Sequence, residues 1–122
     1  MWTYSQKTGM LVDTMGEIVG TGYSGAFGPG KNNPAMQNVP DVGPIPQGLW
    51  TIGAPYTDPH KGPVVMRLTP DETTETFGRS GFLMHGDSIA EPGHASEGCI
   101  IMPHDVRVAV SLSPDMLLNV TA

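Results

Sequence analysis

Cysteine is almost missing from this chain, and positive charge is scarce. Its only cysteine, Cys99, has no partner for an internal disulfide. The fold must therefore hold by packing in either redox compartment, and the thiol is left free for chemistry. Three Lys and three Arg, scattered along the chain, stand against 12 acidic residues for a formal net charge of −6. Such a balance offers a phosphate backbone nothing to bind, so no nucleic-acid partner is expected. No apolar run approaches the ~20 residues that a helix needs to cross a bilayer, so no membrane insertion is expected either. The opening Met1-Trp-Thr-Tyr lacks the charged start and apolar core of a signal peptide, which predicts synthesis in the cytoplasm without one. Short-spaced ligand pairs such as Cys-x-x-Cys or His-Glu-x-x-His are also missing, so neither a metal nor a cofactor is expected.

What the chain has in quantity is turn formers, with 16 Gly and 12 Pro among 122 residues and only 15% charged side chains. That composition favours short strands joined by turns, and the length suits one core. Residues 2–23 read as a three-strand meander: Trp2 to Ser5, Met10 to Thr14 and Glu17 to Tyr23. Residues 24–47 hold too many breakers for any regular element, and Tyr23 and Phe27 would anchor this long loop as an ordered wall beside a site. Gly48 to Gly53 and Val64 to Thr69 read as strands, with a Pro/Asp/His/Gly loop between them. Pro103 with Asp105 starts a short helix, its apolar stripe carried by Val106, Ala109 and Val110. Met116 to Thr121, apolar on both faces, is expected to pair centrally in the sheet. The fold class predicted is mainly β, a small sandwich or partly closed barrel with one short helix.

The chemistry concentrates in Gly81 to Met102, which holds Cys99 and two of the four histidines. Phe82-Leu83-Met84 reads as a buried strand that delivers His85 to the start of a Gly-rich loop. Cys99 follows Ser96-Glu97-Gly98 and precedes an apolar Ile-Ile-Met, so a tight turn presents the sulfur. A thiol attacks as thiolate, and an imidazole on a neighbouring strand could take its proton and stabilise the ion pair. His85 and Cys99 are thus the candidate dyad, with a thiol of lowered pKa as the expectation. The tautomer of His85 needs an orienting partner, and either Asp87 or a carbonyl in the Gly86 turn would serve. Ser96 would hold the shape of the turn, and the N–H groups of Gly98 and Cys99 are natural oxyanion donors. Glu97 is either a substrate-binding or orienting residue or a side chain that only faces solvent, and His94 reads as a loop residue. Arg79 is either a surface charge or a guanidinium fork for a substrate carboxylate.

His85-Gly86-Asp87 and Ser96-Glu97-Gly98-Cys99-Ile100 resemble the signature of the L,D-transpeptidases of bacterial cell walls, His-Gly, a loop, then Ser-x-Gly-Cys. The form is most similar to the branch found in antibacterial effectors of type VI secretion. Upstream, Pro44-Ile-Pro-Gln-Gly-Leu-Trp-Thr-Ile52 is similar to that family's Pro-x-Gly-x-Tyr/Phe-x-Ile strand, so the likeness spans most of the chain. Mainstream members carry a second His before the Gly-Cys pair, where this chain has Glu97. The resemblance implies a single L,D-transpeptidase-like catalytic domain over 1–122, acting without a cofactor on the tetrapeptide stems of peptidoglycan. Cys99 would attack the L-centre of the third residue and release the terminal D-alanine. L,D-carboxypeptidase action, D-amino-acid exchange and cross-linking would then differ only in the acceptor. It also implies an effector carried by secretion machinery into the periplasm of a target cell, with an immunity protein as a further partner. Two other readings of the residues stand beside it. One is a zinc-dependent wall hydrolase that uses His85, Asp87, His94 and Cys99. The other is a non-catalytic wall-binding domain that stacks Trp2, Trp50, Tyr23 and Tyr56 on sugar.

Overall fold

Alternation shapes the first strand: in β1 (Trp2–Ser5) Trp2 and Tyr4 are buried while Thr3 and Ser5 reach outward. The computed structural model describes all of residues 1–122. β2 (Met10–Val12) and β3 (Ile18–Thr21) continue antiparallel, as the predicted meander requires. The predicted third strand, however, is two strands. It breaks at Gly22, where a Cβ would collide with the carbonyl oxygen of Ile101, and resumes as β4 (Tyr23–Ser24). The long loop that follows holds only one 3₁₀ turn, Pro34–Met36, capped by the Asn33 side chain.

β5 (Gly48–Ile52) and β7 (Gly62–Pro70) are the two strands expected there, and β7 starts two residues early. The segment between them, read as pure loop, contains the short β6 (Tyr56–Asp58), which pairs with β7. Its Pro, Asp and Gly residues concealed a strand made regular by its partner rather than by its own propensity. β8 (Leu83–His85) and β9 (Ile100–Ile101) lie parallel to one another. α1 (His104–Leu112) buries Val106, Arg107 and Val110, so Arg107 takes the inward place foreseen for Ala109, which is exposed. β10 (Leu117–Thr121) does pair on both sides, parallel to β1 and antiparallel to β5. It is not buried on both faces. Leu118 and Val120 point into the core while Leu117 is exposed.

The sheet order is β3-β2-β1-β10-β5-β7-β8-β9-β4. β3 and β4 are separated in sequence by Gly22 alone, yet they stand at opposite ends of that order. The sheet must therefore curl until its two edges nearly meet, which makes a nearly closed, barrel-like structure. Inside it one cluster of 16 buried residues, including Trp50, Tyr4, Met84, Ile100 and Leu118, forms the core. Burial of each large apolar side chain contributes on the order of 1.5–3 kcal/mol. This core fixes β8 and β9 side by side, and with them the ends that carry His85 and Cys99.

Candidate active site

His85 closes β8 and is almost fully buried, directly after the inaccessible Met84. Its Nδ1 lies 2.8 Å from the carbonyl oxygen of Gly86. A carbonyl only accepts, so Nδ1 carries the hydrogen and Nε2 keeps its lone pair. Nε2 is buried and has no partner. Of the two orienters that the sequence left open, the geometry therefore takes the Gly86 carbonyl. Burial pulls the imidazole pKa below its ordinary value, and Lys61 and Arg107 act the same way against the pull of the Gly86 carbonyl. The resting ring is neutral, as a general base must be.

Asp87 works elsewhere. Its carboxylate accepts from the hydroxyl of Tyr23 at 2.6 Å and from the N–H groups of Ser88 and Gly93. Burial opposes ionisation there, but these bonds and the Lys31 ammonium outweigh it and hold the carboxyl below its usual range. Tyr23 also accepts the N–H of Ala95 at 3.0 Å, so one phenol ties both ends of the loop between His85 and Cys99. Burial, with Asp87 beside it, raises that phenol to about 12.

The turn before Cys99 is held from three directions. Ser96 Oγ donates to the Cys99 carbonyl at 2.7 Å and accepts from the N–H of Gly98 at 3.1 Å and of Gly25 at 2.9 Å. Ser24 Oγ donates to the Gly98 carbonyl at 3.0 Å. Arg79, only 9% exposed, gives its four terminal N–H bonds to the carbonyls of Gln37, Gly43, Pro44 and Glu97. Gly98 sits at φ 141°, and a Cβ there would meet Arg79 Nη2 at 2.5 Å, so only glycine fits. Two expectations change accordingly. Arg79 is no surface charge, and its fork is filled by backbone carbonyls rather than left for a ligand. The N–H of Gly98 is occupied by Ser96, which leaves the N–H of Cys99, with no partner among the turn and loop bonds, as the available oxyanion donor.

Cys99, His85, Gly98 and Arg79 line one open cleft of about 510 Å³, mostly polar, with Lys61 and Asp41 also on its rim. The half-buried thiol is not acidic. Burial pushes its pKa up, and the adjacent Glu97 adds to this, while the Leu83 N–H, Lys61 and Arg79 pull it down without prevailing. Burial thus favours a neutral thiol over the expected thiolate, because desolvation penalises the charge more than its neighbours stabilise it, and the one hydrogen bond that the sulfur donates goes to the Gly81 carbonyl at 3.9 Å. Glu97 is exposed and lines the same cleft. His94 stacks on Phe27 with ring centroids 4.0 Å apart, which makes it a rim residue with an aromatic partner.

The zinc reading needed four side chains together; His85, His94 and Cys99 line one cleft, but Asp87 does not. No three His, Cys, Asp or Glu side chains converge closely enough to hold a metal ion. The sugar-stacking reading fares no better, since Trp2, Trp50 and Tyr23 are buried and Tyr56 carries Arg67 over its ring. Sequence reasoning missed Ser24, Lys61, Asp41 and Arg107 altogether. Ser24 and Asp41 belong to segments far from the motif, where nothing local signals the contact. Arg107 could have been found as a charge on the apolar stripe of α1; it donates to the carbonyls of Met102, Pro63 and Val64 and packs against Gly86.

Fold and cleft define a mainly β domain with a cysteine and a strand-end histidine in one groove. The chain belongs to the Tlde1 domain family, the type VI secretion L,D-transpeptidase effector domain, whose family model matches residues 19–116. No curated protein matches it.

Proposed function

We propose that the cleft carries out acyl transfer on peptidoglycan tetrapeptide stems, with Cys99 as nucleophile and His85 as base. The observation that carries this reading is the buried Nε2 of His85, lone pair free and unpartnered, in the wall of the cleft that holds the Cys99 sulfur. A buried polar atom without a partner costs free energy, and a proton in transit is what would satisfy it. On attack the thiol proton passes to Nε2 as the S–C bond forms at the carbonyl of the third stem residue. The Cys99 N–H faces the developing oxyanion. Collapse breaks the C–N bond, and the terminal D-alanine leaves with the proton from His85. A thioester remains. Water attacking it, its proton taken by His85, regenerates the thiol and gives L,D-carboxypeptidase action; a D-amino acid gives exchange, and a stem amine gives a cross-link.

Membership of an effector family supports action in the periplasm of a target cell, where trimmed or exchanged stems are lost as cross-linking donors, and a protective immunity protein in the producer. Purified muropeptides digested with the protein should yield tripeptide stems and free D-alanine by mass spectrometry, and none with Cys99→Ala. Intact stems after prolonged digestion by the unaltered protein would end this reading.

A further inference from the structure

Gly86, whose carbonyl fixes the ring of His85, does not adopt the left-handed φ that would call for glycine. What excludes a larger residue is Arg107. A Cβ at position 86 would lie 2.8 Å from Nη2 of that guanidinium and 3.2 Å from its Cζ. The missing side chain is therefore room for a cation delivered by α1.

Arg107 is itself held from several sides. It is 6% exposed, and its Nε donates to the carbonyl of Met102 at 3.0 Å while Nη1 donates to those of Pro63 at 2.6 Å and Val64 at 3.2 Å. Those oxygens flank β8: Pro63 and Val64 belong to β7, and Met102 directly follows β9. Met102 in turn donates its N–H to the carbonyl of His85 at 3.0 Å. One planar fork thus ties both neighbours of β8 together and sets its remaining nitrogen against the Gly86 backbone. A guanidinium pinned at Nε and Nη1 has no freedom to swivel, so it is a fixed stop for the turn after His85.

The direction of the Gly86 carbonyl matters because nothing else holds the ring. Nδ1 has that one acceptor, and Nε2 has no partner at all. Were the carbonyl to turn away, the ring hydrogen would be free to sit on Nε2, and a protonated Nε2 accepts nothing. We propose that Arg107 is a positioning residue for His85: wedged beside Gly86, it keeps the carbonyl on Nδ1 and so leaves Nε2 bare. Arg107 does not line the cleft of Cys99, so it acts through the ring and not on a substrate. The tautomer follows from the geometry, and its effect on turnover rests on the acyl-transfer reading.

The test reads the tautomer directly. Protein labelled with ¹⁵N in the histidine rings is examined without substrate at pH 7.5 by long-range ¹⁵N–¹H correlation NMR, with His85 assigned by its loss in His85→Gln. The unaltered protein should show Nδ1–H alone. Arg107→Met, which removes the stop, and Gly86→Ala, whose Cβ must displace the guanidinium, should both populate Nε2–H. In both, kcat for D-alanine release should fall about tenfold to a hundredfold with KM little changed, within the ~10²–10⁴ that acid–base catalysis supplies. Gly86→Ala should add little to Arg107→Met, because its clash is with the guanidinium. A mere brace between strands predicts a lower thermal midpoint and Nδ1–H throughout. Should Arg107→Met fail to fold, the tautomer in Gly86→Ala decides. Nε2–H in the unaltered protein, or Nδ1–H alone in the folded variants, overturns the proposal. Absence of turnover in the unaltered protein would end the acyl-transfer reading, while the tautomer comparison would still decide the role of Arg107.

Discussion

The N–H of Gly25 donates to the hydroxyl oxygen of Ser96 at 2.9 Å, joining the start of the long loop to the cysteine turn across 71 residues of chain. That hydroxyl serves three backbone groups at once, those of Gly25, Gly98 and Cys99. Ser96→Ala strands them all in a buried place, where each unsatisfied group costs ~1–3 kcal/mol before relaxation or water recovers part of it. The variant should melt several degrees lower and also lose D-alanine release, because the turn that aims the sulfur loosens. Paired thermal and activity measurements check this; a normal midpoint would show that the hydroxyl is dispensable.

Cys99→Ala should separate chemistry from structure in the opposite way. Release of D-alanine should vanish, since no acyl-enzyme can form. Stability should change by less than ~1 kcal/mol, because the side chain is small and only half-buried. A destabilised variant that still releases D-alanine would instead describe a packing cysteine.

With the thiol raised by burial, iodoacetamide should alkylate Cys99 slowly at neutral pH, with a midpoint above the ordinary ~8.5. Stopped-time alkylation followed by mass spectrometry across pH 6 to 10 gives that midpoint. A value well below the ordinary one would restore the ion pair that the motif alone suggested.

The depressed pKa of His85 has a stability consequence of definite sign. Unfolded chains bind the proton near ~6.5 while the folded ring resists it, so this contribution is complete above that pH. It is lost as pH falls from the unfolded value through the lower folded one. His85→Gln cannot titrate. Urea unfolding at pH 7.5 and 5 should show a smaller acid-side loss for the variant than for the unaltered protein, and equal losses would contradict the burial of a neutral ring.

Tyr23→Phe removes the hydroxyl that joins Asp87 to Ala95. The segment from Gly86 to Ala95 should then exchange amide hydrogen faster and be cut sooner by protease, with β-sheet protection unchanged. Unaltered exchange in that segment would mean that the bonds from Ser88 and Gly93 suffice.

Much of this was legible locally, and the reasons it stopped are local too. The strand into His85, the turn before Cys99 and the helix after Pro103 carry their signals within a few residues. Gly22 gave no such signal, because what splits its strand is a carbonyl at Ile101, far along the chain. The double pairing of β10 was foreseen from its apolar run, but Leu117 shows that an apolar residue can stay outside when its backbone is already paired on both sides. Arg79 was undecidable from sequence for the same reason. Its four acceptors are main-chain oxygens, which look alike at every position. The pKa of Cys99 depends on how deeply neighbours cover it, and no motif reports depth.

The placement of β10 between β1 and β5 bears on the order of events when the chain first folds. Residues 117–121 leave the ribosome after every other strand of this sheet, yet they occupy a slot in its middle, between strands made long before. Until they emerge, β1 and β5 each present an open hydrogen-bonding edge, and the contacts that close the sheet span more than a hundred residues. Such long-range pairing makes folding slow and late rather than progressive. The groove therefore stays unfinished while the strands before β10 are made, and the cleft around Cys99 is assembled only after translation of β10.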